Sequence, residues 1–149
     1  MKTENPPSPE VNKASKTAQH SYKLALVTGA ISLGFSAFMA YVYYAHILIL
    51  PETPIGAARY MASTHAIATT FFTLSFTLGL IALINYKSSL SFKLMLTSAA
   101  TAIVGYIPPS ERLWRLGYIN SLNETGAIAV IHIALTITSA YLLYKKTPT

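Results

Sequence analysis

The sequence contains no cysteine and no aspartate among its 149 residues. The lack of cysteine excludes disulfide bonds, a thiolate nucleophile and a cysteine-ligated metal. Five glutamates are the only acidic residues, against eleven lysines and arginines, and charged residues make up 11% of the chain. Soluble domains carry about 25% charged residues. With 52% hydrophobic residues, this composition therefore indicates a membrane protein.

Long apolar runs follow one another along the chain, at 24–50, at 55–84, at 94–107 with a flank from Leu90, and at 125–144. A helix needs about 20 apolar residues to cross a bilayer, and the run from Leu90 reaches that length only with its flanks. We predict an all-α integral membrane four-helix bundle over residues 24–146. Residues 1–23 are predicted to form a disordered cytoplasmic tail, and 147–149 a short cytoplasmic tail.

The cationic residues divide unequally between the two ends of the predicted helices. Eight lysines lie in the N-terminal segment, between the second and third runs, or after the fourth run. The other side holds Arg59, Arg112 and Arg115. Cytoplasmic loops carry the excess of Lys and Arg, so we predict a cell-membrane protein with both termini in the cytoplasm. Its lysines would contact lipid headgroups, and we expect no nucleic-acid partner.

The segment 106–126, "YIPPSERLWRLGYINSLNETG", contains two adjacent prolines. Proline breaks helices in water, so we predict that the third helix ends at Pro108. Two interpretations stay open for "SERLWRLGYI" within it. It is a plain loop, or a short amphipathic helix lying in the interface, with Trp114 and Tyr118 at headgroup depth.

Two histidines lie deep in apolar runs. His65 comes nine residues after Gly56 and His132 seven after Thr125, which places both about 10–14 Å from the outer helix starts. Ionisable side chains inside a membrane normally face the bundle interior and mark a functional site. The alternative is that each histidine hydrogen-bonds a neighbouring helix and serves packing alone. His46 lies near the membrane boundary, where an interfacial role is favoured.

Two imidazoles at equal depth on separate helices are the arrangement that a bis-histidine b-type heme requires. His65 and His132 are therefore the predicted metal ligands, and the hydroxyls of Thr69 and Thr136 are predicted to lie beside the cofactor. Arg59 would pair with a heme propionate or with a lipid phosphate.

Four predicted spans, with one histidine in the second and one in the fourth, resemble one half of the heme A synthase family. The text "LNETGAIAVIHIALTITSAYLL" is similar to that family's fourth-helix pattern. The resemblance implies heme binding by His65 and His132, and oxidation of heme o to heme a or, if that activity is lost, electron transfer. The family's glutamate before the second-helix histidine is Ala62 here, and its loop cysteines are absent. Whether the chain is an enzyme thus stays open.

A second hypothesis is a small accessory or structural subunit of a membrane complex, such as a respiratory complex or a homo-oligomer. Its histidines would only pack, and the small residues Gly29, Ser32, Gly34 and Ser36 would allow close helix contact. A proton-coupled exporter is disfavoured, because such proteins usually place a carboxylate inside the membrane and these runs have none.

Overall fold

The structure, a computed structural model, describes residues 9–49 and 55–145, and the side chains of 19–48 and 62–145. The described chain is all-helical, which confirms the predicted all-α class. Its helices are α1 (Pro9–Ile49), α2 (Ile55–Ile84), α3 (Ser91–Arg115) and α4 (Ile119–Tyr144).

Helix α1 begins well before the first apolar run. Residues 9–23, assigned to a disordered tail by the sequence analysis, are helical, whereas residues 1–8 lie outside the described part of the chain. The segment contains three lysines, two alanines, a glutamine and a glutamate, which favour helices, and Pro9 occupies the first helical position, where its missing N–H costs nothing. The helix thus extends about four turns beyond the apolar run.

The prediction that the third helix ends at Pro108 is wrong. Helix α3 continues through Pro108 and Pro109 to Arg115. Two adjacent prolines remove the N–H groups that would bond the carbonyls of Val104 and Gly105, but helices packed against neighbours tolerate that loss. The segment after the prolines is therefore neither a plain loop nor a separate interfacial helix.

A tight turn joins α3 to α4. Gly117 has a φ of 74°, a left-handed conformation that residues with a Cβ rarely adopt. Helix α4 then begins at Ile119, six residues before the predicted start at Thr125. Its first turns carry Asn, Ser and Glu, which the apolar pattern alone assigns to a loop.

The helices pack as neighbours in a closed ring. Each helix contacts the next along the chain, and α1 also contacts α4. Helices α1 and α2 are antiparallel: the rings of Tyr22 and Tyr86 lie 5.5 Å apart at one end, and those of Tyr43 and His65 lie 5.6 Å apart at the other. Arg112 also contacts His65. We call the end near Arg112 the cleft end, because a cleft opens there between the helices.

Much of the outer surface is apolar. Many large hydrophobic side chains on all the helices are exposed, among them Phe38, Leu80, Ile103 and Val130. By length and composition, three segments are long and apolar enough to cross a membrane: Gln19–Leu48, Ala62–Ile84 and Ile119–Tyr144. Helix α3 is not among them, since it carries Lys93, two prolines and a charged last turn. These features are those of a membrane protein.

Gly29 permits close contact of α1 with its neighbours. A Cβ built on Gly29 would lie 2.6 Å from the Leu83 side chain and 2.8 Å from the Ser139 hydroxyl. At Gly34, on the same helix, no neighbouring atom lies within 4 Å of that position. The small-residue face predicted on α1 is therefore in contact at Gly29 and open at Gly34.

We expect Gly29→Ala to lower the free energy of unfolding by about 1 kcal/mol relative to Gly34→Ala, because only the first overpacks an interface. Both changes gain helix propensity, so their difference isolates the contact. Denaturant titration of the purified protein in detergent micelles measures it. Equal effects of the two substitutions would contradict the close approach of α1 to α2 and α4.

Candidate functional site

His132 lies at the centre of the helix ring and has no exposed surface. Its Nε2 is 3.0 Å from the hydroxyl of Ser36 on α1. Its Nδ1 is 3.1 Å from the hydroxyl of Tyr106 on α3. A neutral imidazole has one donor and one acceptor nitrogen, and each hydroxyl can serve either one. Both ring nitrogens are therefore satisfied by the protein itself.

The hydrogen bonds around His132 continue into α2. The Ser36 hydroxyl lies 3.2 Å from that of Ser75. Ser75 donates to the Ser98 carbonyl at 2.9 Å, and Ser98 donates back to the Ser75 carbonyl at 2.7 Å. These side chains come from α1, α2 and α3, and His132 adds α4, so one buried network ties all the helices together.

His65 lies nearer the cleft end and is 8% exposed. Its Nε2 is 3.4 Å from the guanidinium of Arg112. Since a guanidinium only donates, Nε2 accepts, and the proton of the neutral ring is on Nδ1. That Nδ1 is buried and has no hydrogen-bond partner within the described part of the chain. An unsatisfied buried donor of this kind costs about 1–3 kcal/mol.

A cleft of about 450 Å³ opens beside His65 at this end of the bundle. All the helices contribute to its lining, and the walls are mostly apolar. Its polar groups include His46 on α1, His65 on α2, Arg112 on α3, and Ser121 and Thr125 on α4. The rings of His46 and His65 lie 5.5 Å apart. The cleft therefore combines apolar walls with a cluster of nitrogen donors.

His65 and His132 do not share a depth. On α1, His132 contacts Ser36, whereas His65 packs against Tyr43, seven residues further along. Seven residues of helix span about 10 Å. The prediction counted residues from an assumed start of α4 at Thr125, but α4 begins at Ile119.

The arrangement does not fit a heme held between His65 and His132. Metal–imidazole bonds are about 2 Å long, so two axial nitrogens must lie about 4 Å apart. Here the connection between the histidines runs through aromatic rings: Tyr43 is 5.6 Å from His65, Phe72 is 5.8 Å from Tyr43, and His132 is 6.4 Å from Phe72. Both nitrogens of His132 are also engaged.

The other predicted site residues do not lie together at one site. Thr136 is buried beside His132, where its hydroxyl donates to the His132 carbonyl at 2.8 Å and contacts the Ser32 hydroxyl. The hydroxyl of Thr69 is buried without a partner among the described residues. The side chain of Arg59 lies outside the described residues.

Sequence reasoning missed the partners that decide what each histidine does. Tyr106 is 26 residues from His132, and Arg112 is 47 residues from His65. No local pattern joins such distant positions. The spacing of Ser32 and Ser36 on one face of α1 was the available signal, and both are buried at the interface with α4.

Among the described residues, no group of three or more His, Cys, Asp or Glu side chains is placed to hold a metal ion. Comparisons of the chain with protein-family models, with curated proteins and with solved structures find no match. The resemblance to the heme A synthase family therefore stays a prediction.

Proposed function

We propose that this chain is a non-enzymatic accessory or structural subunit of a membrane complex. In this proposal its helices cross the bilayer as a four-span bundle, with both termini in the cytoplasm and the cleft end outside. The observation that carries it is that His132 forms hydrogen bonds with the hydroxyls of both Ser36 and Tyr106, which make this histidine a link between three helices.

The placement of charge supports the membrane orientation. Lys87 lies in the turn between α2 and α3, and Lys145 ends α4 at the same end of the bundle. Arg112 and Arg115 lie at the cleft end. The end that carries the lysines would face the cytoplasm, where anionic headgroups attract them.

Interior hydrogen bonds support a packing role. In a bilayer the hydrophobic effect does not drive helices together, so small residues and interhelical hydrogen bonds determine their association. Ser139 on α4 donates to the Ala25 carbonyl on α1 at 2.8 Å, and the serine pair of α2 and α3 bonds reciprocally. These contacts support the proposal that protein side chains, and not a cofactor, hold the centre of the bundle together.

A pyridine-hemochrome assay on the full chain, expressed with ample heme, tests this function. We expect folded protein without stoichiometric heme and without a Soret band. His132→Gln retains one donor and one acceptor, so it should stay more stable than His132→Ala. Stoichiometric heme that disappears in His132→Gln would contradict the proposal.

The second candidate is a b-type heme protein with His65 and His132 as ligands, in which Thr69, Thr136 and Arg59 would surround the cofactor. The unpartnered Nδ1 of His65 favours it, because this nitrogen could bind iron if the ring proton moved to Nε2 and the hydrogen bond from Arg112 were given up. It requires His132 to release a hydrogen bond and the rings between the histidines to move. In that case either His→Ala change would remove the heme.

The proposed orientation can be tested by labelling single introduced cysteines, because the chain has no cysteine of its own. A cysteine introduced at Ser121 should react with a membrane-impermeant maleimide added to intact cells, whereas one at Ser88 should react only after permeabilisation. Both positions are exposed, so accessibility to the reagent depends on the side of the membrane. The reverse pattern would place the termini outside.

A further inference from the structure

We propose that the cleft binds a single-chain carboxylate amphiphile, a molecule with one carboxylate head and one apolar chain, and that Arg112 and His65 bind the head. This inference goes beyond the proposed structural role and rests on different residues. The cleft volume of about 450 Å³ falls in the roughly 300–1,000 Å³ range of small-molecule sites.

Charge complementarity favours a ligand whose polar head is a carboxylate. Within the described residues, the one ion pair joins Arg115 to Glu111, and Arg112 has no carboxylate partner. Among the residues that the structure describes, the cleft lining includes Arg112, His65 and His46 but no acidic side chain. A guanidinium in a mostly apolar cleft favours an anion, and its planar fork matches a carboxylate.

The hydrogen-bonding state of His65 supplies an independent argument. Arg112 occupies its Nε2, so Nδ1 carries the proton and has no acceptor in the described chain. His65 is more than nine-tenths buried and lines the cleft. Nδ1 itself has almost no exposed surface, so the ring has to turn toward the cleft before a carboxylate oxygen can accept from Nδ1 and satisfy it, whereas an alkyl group would leave it unpaired.

The apolar walls of the cleft favour a ligand with an apolar chain of limited size. Phe38, Met39, Val42, Leu113 and Ile128 supply aliphatic and aromatic surface from α1, α3 and α4. Arg112 lies near the end of α3. In the proposed orientation it is close to the headgroup region, so a ligand would enter from the lipid with its head toward the surface. A volume of about 450 Å³ is near the lower end of the range of small-molecule sites, which favours one chain over two.

The experiment measures binding of tritiated oleate to the purified full chain in a neutral maltoside detergent, by scintillation proximity. Mildly alkaline buffer keeps the carboxylate ionised. Unlabelled oleate and oleyl alcohol, which carries a hydroxyl in place of the carboxylate, compete for the site. We expect saturable binding that oleate displaces about tenfold better than oleyl alcohol, a difference typical of a charge-assisted hydrogen bond.

Two arginines give a matched pair of variants. Arg112→Gln should weaken oleate binding about tenfold, whereas Arg115→Gln, at an exposed arginine already paired with Glu111, should leave it within about twofold. Equal binding of oleate and alcohol, or equal effects of the two variants, would overturn the proposal. The oleate-to-alcohol ratio on the unmodified chain decides even if Arg112→Gln does not fold.

Two further measurements test whether something other than a carboxylate amphiphile fills the cleft. If phosphatidylglycerol displaces oleate as well as oleate itself does, an ordinary phospholipid phosphate fills the site and the proposal fails. If Glu52→Gln alone raises oleate affinity about tenfold, the chain's own carboxylate is the natural occupant and the proposal also fails. Bound heme, which would contradict the proposed structural function, is detected by its absorption spectrum. That failure is therefore distinguished from a failure of oleate binding.

Discussion

His132→Ala should lower the free energy of unfolding by roughly 2–4 kcal/mol, which combines two lost hydrogen bonds with the cavity left by the ring. His132 is fully buried and bonds Ser36 and Tyr106 on two other helices. The substitution leaves both hydroxyls without that partner inside the protein. Measured interhelical hydrogen bonds in membranes average only about 0.6 kcal/mol, so the cavity is expected to supply a large part of the loss.

His20→Ala is the matched control, because His20 is exposed on α1. The same chemical change there should alter the free energy of unfolding by less than about 0.5 kcal/mol. Denaturant titration in detergent micelles, followed by circular dichroism, compares the two. A double-mutant cycle with Ser36→Ala then measures the coupling across α1 and α4. If His132→Ala is as mild as His20→Ala, the network does not hold the helices together.

The number and type of helices were predictable from the sequence, but their ends were not. Apolar runs locate the membrane-compatible centres of helices because burial in lipid requires apolar side chains and internally bonded backbone. Near the ends, polar residues remain compatible with helix. The run therefore stops at Pro108 although α3 continues to Arg115, and the α4 helix begins at Ile119 although its apolar run begins later.

For the candidate site, the sequence predicted which single residues are buried but not how they are placed relative to one another. Helical periodicity correctly indicated that His65 and His132 face inward, since both are buried. Their relation to each other depends on the levels at which α2 and α4 begin, which no residue count supplies. The network of His132 and the cleft of His65 form at different depths, because Tyr106 lies about four turns and Arg112 about six turns after the start of α3.

Phe72→Ala should lower the free energy of unfolding by roughly 3 kcal/mol, because it removes the largest fully buried side chain among the described residues. The Phe72 ring lies 4.7 Å from Tyr106 in an edge-to-face contact, and 5.8 Å from Tyr43 in a stacked one. In a membrane the loss arises from these packing contacts rather than from transfer of the ring out of water. Phe38→Ala is the control, since that ring is 58% exposed and should cost much less.

The same variant separates the two candidate functions. Phe72 lies on the path of rings between His65 and His132, so shrinking it opens space between the histidines. If the histidines serve packing, as proposed, Phe72→Ala protein is less stable and still purifies without a Soret band. If they are heme ligands whose approach Phe72 limits, the added space should raise heme occupancy, and heme should restore part of the lost stability through binding linkage. Thermal unfolding of Phe72→Ala with and without added hemin, beside Phe38→Ala, distinguishes these results, and stabilisation confined to Phe72→Ala would contradict the packing role.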